Sequence, residues 1–103
     1  MSRLEQLTKL MDIIETKFYI DLLDLRLMAK ATEKWNDKRE VRVTDLTLLR
    51  DLASSATLHY RVTKSLVDDG FFVLRSNPQD MREKLVEPGP EYVRMIKFLE
   101  NME

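Results

Sequence analysis

The sequence contains no cysteine and a single histidine, His59. Without thiols the chain has no disulfide framework, no thiolate zinc site and no cysteine redox sensor, which fits a reducing cytoplasm. One imidazole cannot build a two-histidine metal site, a His–Cys pair or a serine–histidine relay with a spare ring. We therefore expect no enzyme activity, no metal and no cofactor.

Glycine is equally scarce, because only Gly70 and Gly89 are present and they stand far apart. A glycine-rich loop that cradles phosphates is thereby excluded. Acidic pairs such as Asp68 and Asp69 are of the type that binds divalent cations, but nothing in the sequence arranges a ligand sphere around them. No residue set is left for phosphate or metal chemistry.

No charge of one sign dominates, since 17 lysines and arginines face 18 aspartates and glutamates for a formal net charge of -1. Any contact with nucleic acid must therefore come from a local basic patch. Long apolar runs are missing too, because charged residues interrupt the segment 1–16 and exclude a signal-peptide core or a transmembrane span there. We expect a soluble cytoplasmic protein with no membrane partner.

The chain does have enough apolar sequence for one core, with 103 residues of which 44% are hydrophobic. We predict a single domain, 1–103, of the α+β class and mostly helical. Its parts are N-terminal helices in 1–36, a helix–turn–helix with a hairpin in 41–87, and a C-terminal helix in 90–103.

Amphipathic patterns predict helices at both ends of the chain. Near the N-terminus, apolar residues recur at steps of three and four and draw one stripe along a helix. No Pro or Gly interrupts residues 2–35, so one bent helix and two helices with a break near Lys17 to Ile20 both stay open. The last helix, begun by Pro90, is too apolar to face water all round. These two surfaces form either the core of one chain or a dimer interface. Their residues are Leu4, Leu7, Met11, Ile14 and Phe18, and Tyr92, Ile96 and Leu99.

The central segment predicts two helices joined by a short turn. Thr44 is the expected N-cap of the first helix, with Asp45 in its first turn. The small residues Ala53, Ser54 and Ser55 form the expected turn, because they let two helices approach closely. The inward side of the first helix is predicted to carry Leu46, Leu49 and Leu52.

The second of these helices extends to about Asp68 and separates its faces well. Its apolar residues at steps of four, Leu58, Val62 and Leu66, point inward. A helix in the major groove must not bring negative charge near phosphates, and residues 53–67 contain no carboxylate. The pattern indicates either a DNA-contacting helix or an ordinary surface helix. The outward candidates are Ser55, Thr57, Tyr60, Arg61 and Lys64.

A β-hairpin with a basic tip follows over residues 71–87, with a turn cluster from Ser76 to Asp80. An arginine on such a tip can enter the narrow, strongly negative minor groove. Asp80 is placed to hold Arg82 in a fixed direction through a charge-assisted hydrogen bond. The alternative is that this pair rigidifies a surface loop. The wing candidates are Arg75, Asp80, Arg82 and Lys84.

This order of elements resembles the winged-helix domain of the MarR family of bacterial transcription regulators. The resemblance covers residues 46–87, read as Leu46…Ser55-Ala56-Thr57-Leu58…Arg61-Val62…Leu66…Gly70-Phe71, then Arg75-Ser76-Asn77-Pro78-Gln79-Asp80-Met81-Arg82 and Leu85-Val86. It implies that the helix ending at the glycine enters the major groove and that Asp80 and Arg82 form the wing pair. It also implies a homodimer built from the terminal helices. Family members follow the return strand with a Leu-Thr step, where this chain has Pro88-Gly89-Pro90.

We therefore predict a winged helix-turn-helix protein that binds double-stranded DNA sequence-specifically, as a small dimeric transcription regulator. Recognition helices from two subunits would enter successive major grooves while the wings clamp the flanking minor grooves. The alternative is a winged-helix module that binds a partner protein without DNA, in line with the near-neutral net charge. A small-molecule effector is unsupported by any residue set. The sequence sets neither the target site nor the choice between activation and repression.

Overall fold

Helices at both ends of the chain enclose a central segment that carries the strands. The computed structural model describes residues 2–102, so the predicted domain limits Met1 and Glu103 lie outside it. This part of the chain is mostly helical with one antiparallel sheet, which confirms the α+β prediction. The elements are α1 (Arg3–Phe18), α2 (Leu22–Asn36), β1 (Val41–Arg42), α3 (Val43–Thr47), α4 (Ser55–Tyr60, Arg61–Ser65 and Leu66–Asp68 in continuous succession), β2 (Phe72–Asn77), β3 (Asp80–Pro88) and α5 (Pro90–Glu100).

The N-terminal region forms two helices rather than one bent helix. Tyr19 separates α1 from α2 in left-handed backbone, with φ 58°. Asp21 then caps α2, because its carboxylate accepts the N–H of Asp24 at 2.9 Å. The Asp24 carboxylate accepts the Asp21 N–H in return, at 3.3 Å. The break falls in the interval that the change of apolar face favours.

The helix α3 is shorter than its sequence pattern predicts. It begins at Val43 with Arg42 as its N-cap residue, because the Asp45 carboxylate accepts the N–H of Arg42 at 2.8 Å and so sets the cap two residues before Thr44. The prediction of Thr44 as N-cap is therefore wrong. Since α3 ends at Thr47, the connection to α4 spans 48–54 rather than the three predicted residues. Leu49 and Leu52, two of the predicted inward residues, pack against the edge of the core from turns rather than from a helix.

The helix α4 ends at Asp68 as predicted but contains one π-helical turn, Arg61–Ser65. The N–H that closes this turn bonds to the carbonyl five residues earlier. In a regular α-helix, apolar residues four apart drift around the axis by about 40° per step. The wider π turn absorbs that drift and keeps the apolar residues in line. The predicted inward residues are fully buried: Leu58, Val62 and Leu66.

The sheet has the strand order β1-β3-β2, with Val86 of the central strand paired to Val41 on one side and Leu74 on the other. The hairpin is tighter than its predicted five-residue turn, because the strands are separated only by Pro78 and Gln79. Asn77 makes this reversal possible, since its side-chain oxygen accepts the N–H of Gln79 at 3.0 Å.

A close approach of backbones joins the end of α4 to the start of α5. Gly70 ends α4 with φ +85°, a conformation that favours glycine. Its carbonyl accepts the N–H of Glu91 at 3.0 Å, and the Gly89 N–H donates to the Phe71 carbonyl at 2.9 Å. A Cβ on Gly89 would lie 2.2 Å from the Gly70 carbonyl oxygen. The Pro88-Gly89-Pro90 segment therefore fits this junction, with Pro90 starting α5 as predicted.

The core is formed where α2, α4, α5 and the sheet meet. Its largest fully buried side chains are Phe71 and Phe72, which follow the glycine that ends α4. Trp35 closes one edge, because its ring packs edge-on against Phe72 and its indole N–H donates to the Val86 carbonyl at 3.3 Å. Among the described residues, none of the helices combines the length and apolarity that a bilayer crossing demands.

The N-terminal half of α1 extends away from this core. The described part of the chain is therefore elongated, with a long axis of 50 Å against 27 and 25 Å. Ile14 and Phe18 are buried in the core of their own chain, which corrects their assignment to a dimer interface. Leu4 and Leu7 are instead 73% and 56% exposed. Only the C-terminal half of this apolar stripe therefore packs as core, and the N-terminal half lies on the surface of the chain.

Candidate nucleic-acid interface

The predicted recognition helix α4 presents a polar outer surface at its N-terminal end. Ser54 caps the helix, because its hydroxyl oxygen accepts the N–H of Thr57 at 3.3 Å. The same hydroxyl donates to Thr57 Oγ1 at 3.0 Å, which leaves the Thr57 hydroxyl hydrogen to donate elsewhere. Ser55, Thr57 and Tyr60 are all exposed. Four of the five predicted helix residues, these three and Lys64, therefore stand on open surface.

Arg61 occupies a different environment from the rest of the predicted set. Its Nη1 donates to both carboxylate oxygens of Asp21 and to Oδ1 of Asp24, each at 2.9 Å. The Arg61 side chain is only 26% exposed, and that of Asp24 is 7% exposed. Residues 53–67 contain no carboxylate, but the fold brings two against this helix from α2. The assignment of Arg61 to a DNA contact is corrected, because its charge is neutralised within the chain.

The electrostatics of this arginine–carboxylate triad support a structural role. Burial raises the pKa of Asp24 against the lowering effects of the Arg61 guanidinium and the Asp21 N–H. Burial also opposes ionisation of Asp21, but hydrogen bonds from the Asp24 N–H and from Arg61 lower its pKa overall. The two carboxylates raise the pKa of Arg61 through their hydrogen bonds. Arg61 therefore ties α4 to the N-terminus of α2.

Lys64 also has a carboxylate partner, but on open surface. Its Nζ lies 2.7 Å from Oδ2 of Asp68, one turn along α4, and both side chains are more than half exposed. This contact raises the pKa of Lys64. An exposed pair of this kind contributes little to stability and exchanges readily with another anion. Lys64 can therefore turn from Asp68 to an external acceptor.

The wing pair has the geometry that the sequence predicts. Asp80 Oδ1 accepts the Arg82 backbone N–H at 3.0 Å and the guanidinium Nε–H at 3.3 Å. The Arg82 side chain is 93% exposed. A basic side chain with a fixed direction thus stands at the end of the hairpin.

The two other wing candidates lie lower on the hairpin and have partners on the neighbouring strand. Arg75 Nε lies 3.1 Å from Oε1 of Glu87, and Lys84 Nζ donates to the Ser76 hydroxyl at 3.1 Å. Both basic side chains are exposed. Lys84 thus meets a neutral hydroxyl, whereas Arg75 faces a carboxylate.

A cleft of about 280 Å³ lies between α3, α4 and β3. His59 and Thr63 line it from α4, Arg82 and Lys84 from β3, and Arg42 from the end of β1, where it caps α3. The sequence pattern did not single out Arg42, His59 or Thr63 for this surface. Helical periodicity shows that His59 and Thr63 share a flank of α4, but only the fold shows that the hairpin faces it.

Neither a metal site nor a known relative accounts for this surface. Within residues 2–102, no three His, Cys, Asp or Glu side chains are grouped so that they could hold a metal ion. Comparison with protein-family models, with curated proteins and with solved structures finds no match for the chain. The case for a nucleic-acid interface therefore depends on the residues of this surface and on their geometry.

Proposed function

We propose that this chain is a winged helix-turn-helix protein of MarR-like type that binds double-stranded DNA sequence-specifically as a small dimeric transcription regulator. One observation carries the proposal: α4, through His59 and Thr63, and the hairpin, through Arg82, line the same cleft, so the hairpin stands directly beside the predicted recognition helix. A helix that enters a major groove and a wing that enters the next minor groove require this arrangement.

The outer face of α4 is suited to reading bases. Thr57 and Tyr60 offer hydroxyl groups, and Lys64 offers an ammonium held only by an exposed pair. Such side chains donate to acceptors on base edges in the major groove. Arg82, at the end of the hairpin, supplies the cation that the negative potential of a narrow minor groove attracts.

The exposed half of α1 supports a dimer. Leu4 and Leu7 project from the body of the domain, and Ile96 and Leu99 line an open apolar groove of about 320 Å³ between α2 and α5. A second copy would cover both surfaces under two-fold symmetry, the commonest arrangement of homo-oligomers. Tyr92 belongs to the same groove, where its hydroxyl is hydrogen-bonded to Thr32 at 2.6 Å.

Light scattering coupled to size exclusion tests the dimer. The wild type should elute with twice the mass of one chain, and Leu7→Glu, which places a charge on the exposed stripe, should elute as a monomer. Lys9→Glu introduces the same charge at a polar position of α1 and serves as the control. A wild type that stays monomeric at all concentrations would overturn the dimer.

Fluorescence anisotropy with an unrelated 24-base-pair duplex at two salt concentrations tests DNA binding. We expect binding at low salt that weakens steeply as salt rises, because released counterions drive association with the phosphates. Absence of binding at low salt would sink the proposal in favour of a module that binds a partner protein. If the chain binds DNA, mapping of bound DNA across the native genome identifies the target sites.

A further inference from the structure

The course of the DNA backbone follows from the proposed function, on which this inference rests. In duplex DNA a single sugar-phosphate strand separates a major groove from the neighbouring minor groove. If α4 lies in the first groove and Arg82 in the second, that strand must cross between α4 and the hairpin. The cleft lined by His59, Thr63 and Lys84 lies at this place.

The chemistry of the cleft suits a phosphodiester. Among the described residues, three cationic side chains line it, Arg42, Arg82 and Lys84, against a single carboxylate, Glu83. A chain with a formal net charge of -1 thus has a local excess of positive charge at this place. Contacts to phosphate from arginine, lysine and neighbouring hydroxyls fix the register of a protein on DNA without reading sequence.

Partners within the chain hold the carboxylate of the cleft. Glu83 Oε2 lies 3.6 Å from Arg42 Nε and accepts a hydrogen bond from Asn77 Nδ2 at 3.3 Å. The Arg42 side chain is half exposed, so its remaining N–H groups can reach a ligand. Arg42 can therefore restrain Glu83 and donate to a phosphate at the same time.

The α4 side of the cleft is also held in place. The Thr63 hydroxyl donates to the His59 carbonyl at 2.6 Å, and its oxygen lies 3.5 Å from the Nδ1 of that histidine. This hydrogen bond joins two residues one turn apart in the helix, and Thr63 lies within the π turn that the Leu66 N–H closes. It fixes the flank of α4 that faces the hairpin.

We propose that this cleft seats the DNA strand between the two grooves, and that Arg42 and His59 are phosphodiester contacts. These contacts are independent of base sequence and occur once in each protomer. Arg42, which no sequence pattern distinguishes from other surface arginines, is then a DNA-binding residue of the same standing as Arg82.

The salt dependence of DNA affinity measures this contact. For Arg42→Gln, the slope of log affinity against log salt should become shallower by about 0.9 for each phosphate that the protein no longer neutralises, and so by about 1.8 in a dimer. Arg26→Gln removes the same charge from the exposed surface of α2 and should leave the slope unchanged. His59→Ala should weaken binding several-fold and equally on unrelated duplexes.

A double variant separates a phosphate contact from simple masking of Glu83. If Arg42 binds phosphate, Arg42→Gln with Glu83→Gln keeps the shallow slope when compared with Glu83→Gln alone. If full affinity and slope return in the double variant, Arg42 acts only by neutralising Glu83 and the inference is overturned. Thermal unfolding of each variant verifies that it is folded.

The failure of this inference differs from that of the proposed function. A wild type that binds no duplex at low salt removes both. If loss of Arg82 weakens DNA binding but the salt slope is the same for Arg42→Gln and Arg26→Gln, the DNA-binding function stands. That second result removes only the strand path through the cleft.

Discussion

Two arginines that the sequence places in the same predicted interface have opposite surroundings. Arg61 is three-quarters buried against two carboxylates of α2, whereas Arg82 is 93% exposed beside one carboxylate of its own hairpin. Removal of Arg61 leaves Asp24 buried without its cation, which is costly. Exchange of Asp80 for a phosphate at Arg82 costs little, because an exposed pair contributes about 0–1 kcal/mol.

The difference shows that basic residues on a helix or hairpin are available to DNA only where the fold leaves them free to exchange partners. Arg61 and Asp21 are 40 residues apart in the chain, yet their atoms meet at 2.9 Å. Arg82 and Asp80 are neighbours in sequence, and their contact is visible from spacing alone. The first pair stabilises the fold, and the second directs a side chain outward.

The largest expected effect is on stability, from Arg61→Met. This change keeps much of the side-chain volume but leaves Asp24 without its cation, so we expect a loss of about 3 kcal/mol in the free energy of unfolding. Urea denaturation measures it. Lys64→Met, which breaks an exposed pair on the same helix, should leave the midpoint unchanged. Equal midpoints for the two variants would contradict the contrast between buried and exposed pairs.

The next effect is on DNA affinity, from Arg82→Ala. Loss of a wing cation in each protomer should weaken binding roughly tenfold on unrelated duplexes and flatten its salt dependence. The melting temperature should stay at the wild-type value, since this side chain is almost fully solvated. Anisotropy and thermal unfolding measure the two properties. A fall in melting temperature with unchanged affinity would reverse the roles that we assign to the two arginines.

A smaller effect is expected in the pH dependence of stability, from Asp21→Asn. The pKa of Asp21 is lowered in the folded chain, so its ionised form stabilises the fold at neutral pH. That contribution disappears as pH falls through the lowered pKa. The stability difference between wild type and variant should therefore be largest near pH 7 and shrink in strong acid. In an Arg61→Met background the difference should be smaller throughout, and a constant difference from pH 7 to pH 2 would argue against the triad.

The smallest effect is on sequence preference, from Tyr60→Ala and Lys64→Gln. Both side chains lie on the outer face of α4, so each change should shift the preferred bases a few-fold with little change in overall affinity. Selection from a random duplex library followed by sequencing measures the preference. Identical preferences in the wild type and both variants would remove the reading role from this face.

Local patterns in the sequence predict much of the fold. The end of α4, the start of α5 at Pro90 and the Asp80–Arg82 bond all depend on residues within a few positions of each other. The predicted length of α3 is wrong, because the helix starts two residues earlier than predicted and ends at Thr47, so that Leu49 and Leu52 reach the core from turns. A long helix and a short helix followed by turns place apolar residues at the same spacing in the sequence.

Contacts between distant elements are beyond local patterns. The apolar stripe of α1 is continuous in sequence, yet Phe18 is buried and Leu4 is exposed, because the body of the domain ends partway along the helix. The partners of Arg61 and the cleft neighbours of His59 likewise depend on which elements pack side by side. Periodicity shows that a residue belongs to a face, and tertiary packing decides what covers that face.

The π turn of α4 also governs which residues the helix displays. A helix with such a turn holds one residue more than an α-helix of the same path, so the residues after the turn are offset by one position, about 100°, from the register of an uninterrupted α-helix. Deletion of one residue within 61–65 would close α4 into a regular α-helix of that path, in which Tyr60 and Lys64 keep their relative directions and so do Leu58 and Leu66. The extra residue therefore decides which side chains after the turn share the outer face with Thr57 and Tyr60.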